Sequence, residues 1–134
     1  MPSPPVSPGS VSDQTWEAIR TEFTLPALEQ VRRRLSELVE DPEPVMQQLV
    51  RIFIDEGTYC PGFQFLPGGR LHPTVTALFQ RAMELKIPHN YFTVWMITPS
   101  TELGRTRPVD VLRNSPAPLL HALDAFGARL ARNP

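Results

Sequence analysis

Residues 41–57 read Asp-Pro-Glu-Pro-Val-Met-Gln-Gln-Leu-Val-Arg-Ile-Phe-Ile-Asp-Glu-Gly, and residues 58–73 continue Thr-Tyr-Cys-Pro-Gly-Phe-Gln-Phe-Leu-Pro-Gly-Gly-Arg-Leu-His-Pro. The architecture turns on how these two runs divide between helix and strand. Asp41 can cap a helix, Pro42 and Pro44 are tolerated only in a first turn, and Glu43 places an acid near the positive helix end. The first run therefore predicts a third helix reaching Glu56, burying Val45, Leu49, Ile52 and Phe53, with Gly57 as its left-handed terminator. In the second run aromatic residues alternate over 59–65, Leu66-Pro67-Gly68-Gly69 marks a turn, and Arg70-Leu71-His72 returns. That pattern predicts a small β-hairpin over 58–73, with Pro61 consigning its strand to an edge.

Working outward toward the N-terminus, Asp13 can cap a short helix carrying Trp16, Ile19 and Phe23 at helical spacing. A second helix, from Pro26 to about Glu40, aligns Leu28, Val31, Leu35 and Leu38. Glu29 and Arg33 stand four apart in the favourable order for a surface pair. Toward the C-terminus, Pro73 opens a fourth helix with Val75, Leu78, Phe79, Ala82 and Met83 on one face, ended by Ile87-Pro88. A fifth, over about 89–97, holds Tyr91, Phe92, Val94, Trp95 and Met96 and reads as the central core helix. Thr98-Pro99 caps a single turn closed by Gly104, Pro108 opens another short helix, and Ser115-Pro116 caps the last one, which aligns Leu119, Leu123, Phe126 and Leu130.

Sixteen prolines in 134 residues, against an average of ~5 %, fit this design of short, sharply turned helices. Four of them fall before residue 9, so residues 1–12 read as a disordered tail. The predicted class is mainly α: six to seven short helices and one small β-hairpin near the middle of the chain. The expected division is a helical region over 13–57, the hairpin over 58–73 and a helical domain over 74–134.

Charge is unevenly spread. Residues 1–60 hold five arginines against ten acids, whereas residues 61–134 hold eight basic groups against four acids. An anionic partner should therefore prefer the second half. No apolar run is long enough to span a membrane, the start lacks the pattern of a signal peptide, and the lone Cys60 fits a reducing cytoplasm.

A search for catalytic chemistry returns little. Phosphate-binding and dinucleotide-binding glycine loops are absent, and one Cys with three scattered His offers no zinc-ligand spacing. Cys60 and His72 could face each other across the hairpin as a nucleophile and base, although Pro61 and the aromatic neighbours favour a packing cysteine. His89 reads as a surface or capping residue and His121 as a helix-face residue. The expectation is a binding protein, not an enzyme, with no cofactor and no metal. Arg32, Arg33 and Arg34 form a candidate DNA-binding patch on the second helix, set among Glu29, Glu37, Glu40 and Asp41.

One stretch is more specific. From Trp95 the chain runs Trp-Met-Ile-Thr-Pro-Ser-Thr-Glu-Leu-Gly-Arg-Thr-Arg-Pro-Val-Asp-Val-Leu-Arg. An aromatic helix, a Pro-capped turn ended by Leu-Gly, then Arg-x-Arg-Pro and a helix with Asp and Leu resembles the toxin-binding domain of Xre/MbcA/ParS-type antitoxins. The matching positions are Trp95, Pro99, Leu103, Gly104, Pro108, Asp110 and Leu112. Upstream, Phe63-Gln64-Phe65, Gly69-Arg70 and Pro73 resemble the segment preceding that domain, so the likeness covers roughly residues 60–130.

The resemblance implies a non-catalytic antitoxin that packs over the active-site mouth of a RES-fold, NAD-degrading toxin, as a homo-oligomer or a hetero-oligomer with it. Carried onto this chain, the toxin contacts would be Glu102, Arg105, Thr106, Arg107, Pro108 and Arg113, with Phe92, Trp95, Leu103 and Leu112 as the core beneath. The alternative for Arg107 is that it pairs with Asp110 and only fixes the loop. Two departures stand out. Arg105 replaces the second glycine of the family's Leu-Gly-Gly turn. Asp41-Pro42-Glu43-Pro44 also replaces the small turn of a DNA-docking helix pair, in a half of net negative charge where phosphate contact wants basic residues. The helical region over 13–57 is therefore expected to be a platform for dimerisation or extra toxin contact, or a degenerate DNA-binding-like unit. The second functional reading is a winged-helix-like regulator of its own operon, built from helices two and three plus the hairpin.

Overall fold

The computed structural model describes residues 12–132, so the tail over residues 1–11 lies outside it. Six α-helices occur among the described residues: α1 (Asp13–Phe23), α2 (Leu28–Leu38), α3 (Glu43–Met46), α4 (Pro73–Glu84), α5 (His89–Met96) and α6 (Pro116–Arg132). Two strands, β1 (Ile52–Ile54) and β2 (Gly57–Tyr59), form one antiparallel hairpin in the register Ile52↔Tyr59 and Ile54↔Gly57. Short 3-10 turns cover Gly62–Gln64, Thr101–Leu103 and Pro108–Val111. The mainly α class with one small hairpin is the architecture found.

The third helix is shorter than its sequence pattern predicts. It ends after one turn at Met46, and the segment expected to continue it to Glu56 becomes β1 and the hairpin turn. Val50, Ile52 and Ile54 suit a strand because β-branched side chains pack well on a pleated surface. Asp55 takes the left-handed conformation (φ 53°) needed in the two-residue connection. The hairpin therefore lies at 52–59 instead of 58–73. Residues 64–72 still fold back through a single bridge between Phe65 and Leu71, around the predicted turn at Gly68 and Gly69. The alternating aromatics form a 3-10 turn there because Phe63 and Gln64 both face inward.

The first helix is capped one residue earlier than expected, the Ser12 hydroxyl accepting the Thr15 N–H. Helices α4, α5 and α6 enclose the largest core, with Leu78, Phe92, Met96, Leu119 and Leu123 fully buried. A second cluster gathers Val31, Leu35, Met46, Leu49 and Cys60 under α2. A third joins Trp16, Ile19 and Leu25 to Ile52, and Phe23 and Ile97 pack against both this cluster and the largest one. Gly62 docks the α1–α2 connection. A Cβ at Gly62 would lie 1.8 Å from the Phe23 carbonyl oxygen, and its N–H donates to Thr24 (3.0 Å).

The backbone on either side of residue 57 is tied together by polar side chains, of which Gln64 and Asn90 are buried. The Gln64 side chain accepts the Val50 N–H (2.8 Å) and donates to the Val50 carbonyl (2.9 Å). Asn90 accepts the Phe53 N–H (3.0 Å) and donates to its carbonyl (3.1 Å), and His89 Nδ1 accepts the Arg51 N–H (3.0 Å). These side chains act as a third strand for a hairpin that has none, since buried backbone groups must be paired.

Candidate functional site

The segment that follows α5 builds the most sharply shaped surface feature. Ser100 and Thr106 pair as an isolated bridge, and the Thr101–Leu103 turn fills the loop between them. Gly104 and Arg105 are both left-handed, at φ 64° and 66°. Two consecutive left-handed residues reverse the chain tightly, so Arg105 stands at the exposed tip of the loop. Its side chain makes no ion pair among the described residues.

The base of the loop is fixed by charge. Arg107 forms a fork onto Glu22 of α1 (2.9 and 2.6 Å) and a second onto Asp110 (2.7 and 2.9 Å). Both carboxyls are held below their usual range, chiefly by the hydrogen bonds from Arg107, and the guanidinium itself is held more firmly protonated by Glu22 and Asp110. Glu102 accepts from Arg129 of α6 (2.6 Å), from Ser100 (3.0 Å) and from Thr101 (3.1 Å). Its carboxyl is pulled down to about 2, with the Arg129 hydrogen bond as the largest cause.

The expected contact residues thus divide. Arg105 and Arg113 are exposed and Thr106 is half-buried at the bridge, whereas Arg107 and Glu102 are engaged in holding the loop and Pro108 is buried. Pro108 cannot serve as a surface contact, because its ring is already packed inside. Arg107 follows the alternative reading, with Glu22 as a partner that no local pattern indicates. Arg113 lies close enough to His72 to help lower its pKa, after burial, and so belongs beside the start of α4. Phe92, Trp95 and Leu112 are buried as expected, and Leu103 is partly buried against the same core. Trp95 stacks on Phe126 at 6.4 Å between ring centres.

Other sequence candidates fall away from chemistry. Cys60 is fully buried and its thiol is pushed up to about 11 by desolvation, the opposite of an activated nucleophile. His72 is occupied in capping α4, where its Nδ1 accepts the Thr74 N–H (3.2 Å). His89, read from the sequence as a surface or capping residue, is instead half-buried and holds β1. Gln64 and Asn90 join His89 in pairing the backbone over residues 50–53, a role that the sequence reading gave to neither. Gln64, set between Phe63 and Phe65, carried the one local signal, whereas His89 and Asn90 are adjacent to each other.

On α2, Arg32 pairs with Glu43, while Arg33 and Arg34 remain exposed and the expected Glu29–Arg33 pair is not made. The helix following α2 has four residues, too short to lie in a DNA groove, so a winged helix-turn-helix is not assembled over residues 28–72. Among the described residues no three His, Cys, Asp or Glu side chains gather as a metal site, and no helix is long and apolar enough to cross a membrane. Compared with protein-family models, curated proteins and solved structures, the chain finds no match in any of the three.

Proposed function

We propose that this protein is a cytoplasmic, non-catalytic antitoxin that binds a RES-type, NAD-degrading toxin through the loop over residues 100–106. The observation that carries this reading is Arg105. It holds a left-handed conformation that costs a non-glycine residue about 1–2 kcal/mol, at the exposed tip of a loop pinned from below by Arg107 and Glu102. Backbone strain of this kind clusters at active sites and ligand clamps, and Arg105, unlike the left-handed helix terminator Lys86, sits in a loop. A guanidinium presented on a rigid frame loses little entropy on docking and suits a pocket shaped for the phosphates of a dinucleotide. The resemblance over 95–112 supplies the partner class.

The test is co-expression with the toxin encoded beside the gene, followed by affinity measurement. Complex formation and growth rescue are expected, and absence of both would sink the proposal. Arg105→Gly separates strain from contact. It should stabilise the free protein by about 1 kcal/mol while weakening toxin binding about tenfold or more. Unchanged affinity would remove the loop from the interface.

A further inference from the structure

We propose that the groove between the end of α1, α2 and the turn at residues 65–69 is a docking site for an acidic, leucine-bearing peptide segment of a partner protein. The groove measures about 820 Å³, within the size range of real binding pockets. Its apolar lining includes Leu25, Val31, Leu35, Leu38 and Phe65, beside the polar Thr24 and Gln30; Val31 and Leu35 are buried, and Leu38 is 53 % exposed. Its rim is cationic. Arg20, Arg33 and Arg34 line it, and Glu37 is its one acid.

That composition runs against the surrounding charge. Residues 1–60 carry five arginines and ten acids, yet three of those arginines and one of those acids border this groove. Arg33 and Arg34 make no ion pair among the described residues, and Arg20 pairs with Glu17 one turn away, outside the groove. Arginines left without partners over an apolar floor complement a chain segment that offers carboxylates beside an aliphatic side chain. Each guanidinium fork can take one carboxylate with two hydrogen bonds, while a leucine covers the exposed face of Leu38. A nucleic-acid backbone would meet the arginines but leave that apolar surface in water, so a peptide fits better.

This site is separate from the loop over 100–106. Arg20 and Glu22 lie two residues apart on α1, about 200° around the helix, so the groove and the Arg107 clasp face different ways.

The experiment is fluorescence anisotropy on the full chain with a labelled twelve-residue helical peptide of Leu, Glu and Asp. Saturable binding is expected, and it should weaken as salt rises. Arg33→Glu combined with Arg34→Glu, and separately Leu38→Glu, should each weaken it about tenfold or more, with circular dichroism unchanged. Arg105→Glu should leave it intact. The proposal is overturned by any of four results: no saturation by about 1 mM peptide, equal binding of the same peptide with Lys for its acids, equal affinity in the groove variants, or displacement of the peptide by a DNA oligonucleotide or dodecanoate at lower concentration than unlabelled peptide.

Discussion

Lys86 ends α4 in the left-handed conformation, at φ 60°. Its N–H donates to Met83 (3.0 Å) and the next N–H, from Ile87, reaches back to Ala82 (2.9 Å). These two bonds are the Schellman pattern, which satisfies the last carbonyls of the helix and tucks Ile87 into the core. The position favours glycine because a Cβ there crowds the following carbonyl. Lys86→Gly should therefore raise stability by about 1 kcal/mol, seen as a higher urea midpoint with unchanged slope. The stop itself was legible from Ile87-Pro88, but the left-handed residue was not, since lysine carries no signal for it.

At the scale of elements, the hairpin depends on side chains from outside it. Asn90 supplies both hydrogen bonds on the open side of Phe53, and the amide is 1 % exposed. Asn90→Ala leaves a donor and an acceptor without partners in a part-buried place, at an expected cost of about 2–3 kcal/mol. Equilibrium denaturation would read the loss, and hydrogen exchange at the Phe53 amide should accelerate. An unchanged Phe53 exchange rate would show that β1 holds itself. The sequence could not assign this strand. Leu49, Ile52 and Phe53 fit helical spacing, and Val50, Ile52 and Ile54 fit alternation equally well, so periodicity alone was ambiguous over so short a run. What broke the tie was the presence of Gln64, His89 and Asn90 to pair its free edge.

At the scale of the whole molecule, ion pairs join distant parts of the chain. Arg107 and Glu22 are 85 positions apart in sequence. A double-mutant cycle on Arg107→Ala and Glu22→Ala should give a coupling of about 0.5–1 kcal/mol, because the pair is partly open to solvent, and it should shrink in high salt. Acid should destabilise the fold in two stages. The His89 pKa lies below its ordinary 6.5, first through burial and then through the Arg51 charge. As pH falls below about 6.5 the unfolded chain takes up this proton before the folded one, and stability drops until the folded ring is protonated too. His72 adds in the same direction. The Glu102 carboxylate contributes stability above 4.5 that is lost as pH falls toward about 2. Thermal midpoints measured from pH 7 to 5 should decline, and His89→Gln should shrink that decline. An equal decline in the variant would remove His89 from the explanation.

By itself the sequence determined the helical class, the helix starts at Pro73, Pro108 and Pro116, the apolar faces of α4, α5 and α6, and the tight turns at Gly68-Gly69 and Gly104. Each follows from local chemistry: proline fixes a first turn, glycine admits a left-handed one, and helical spacing marks a buried face. The tertiary structure alone decided that residues 50–54 are a strand edge and that Arg107 is a clasp onto Glu22 of α1. Those outcomes depend on partners far along the chain, Asn90 for Phe53 and Glu22 for Arg107. A hydrogen bond or ion pair across such distances leaves no mark in the spacing of the residues that make it.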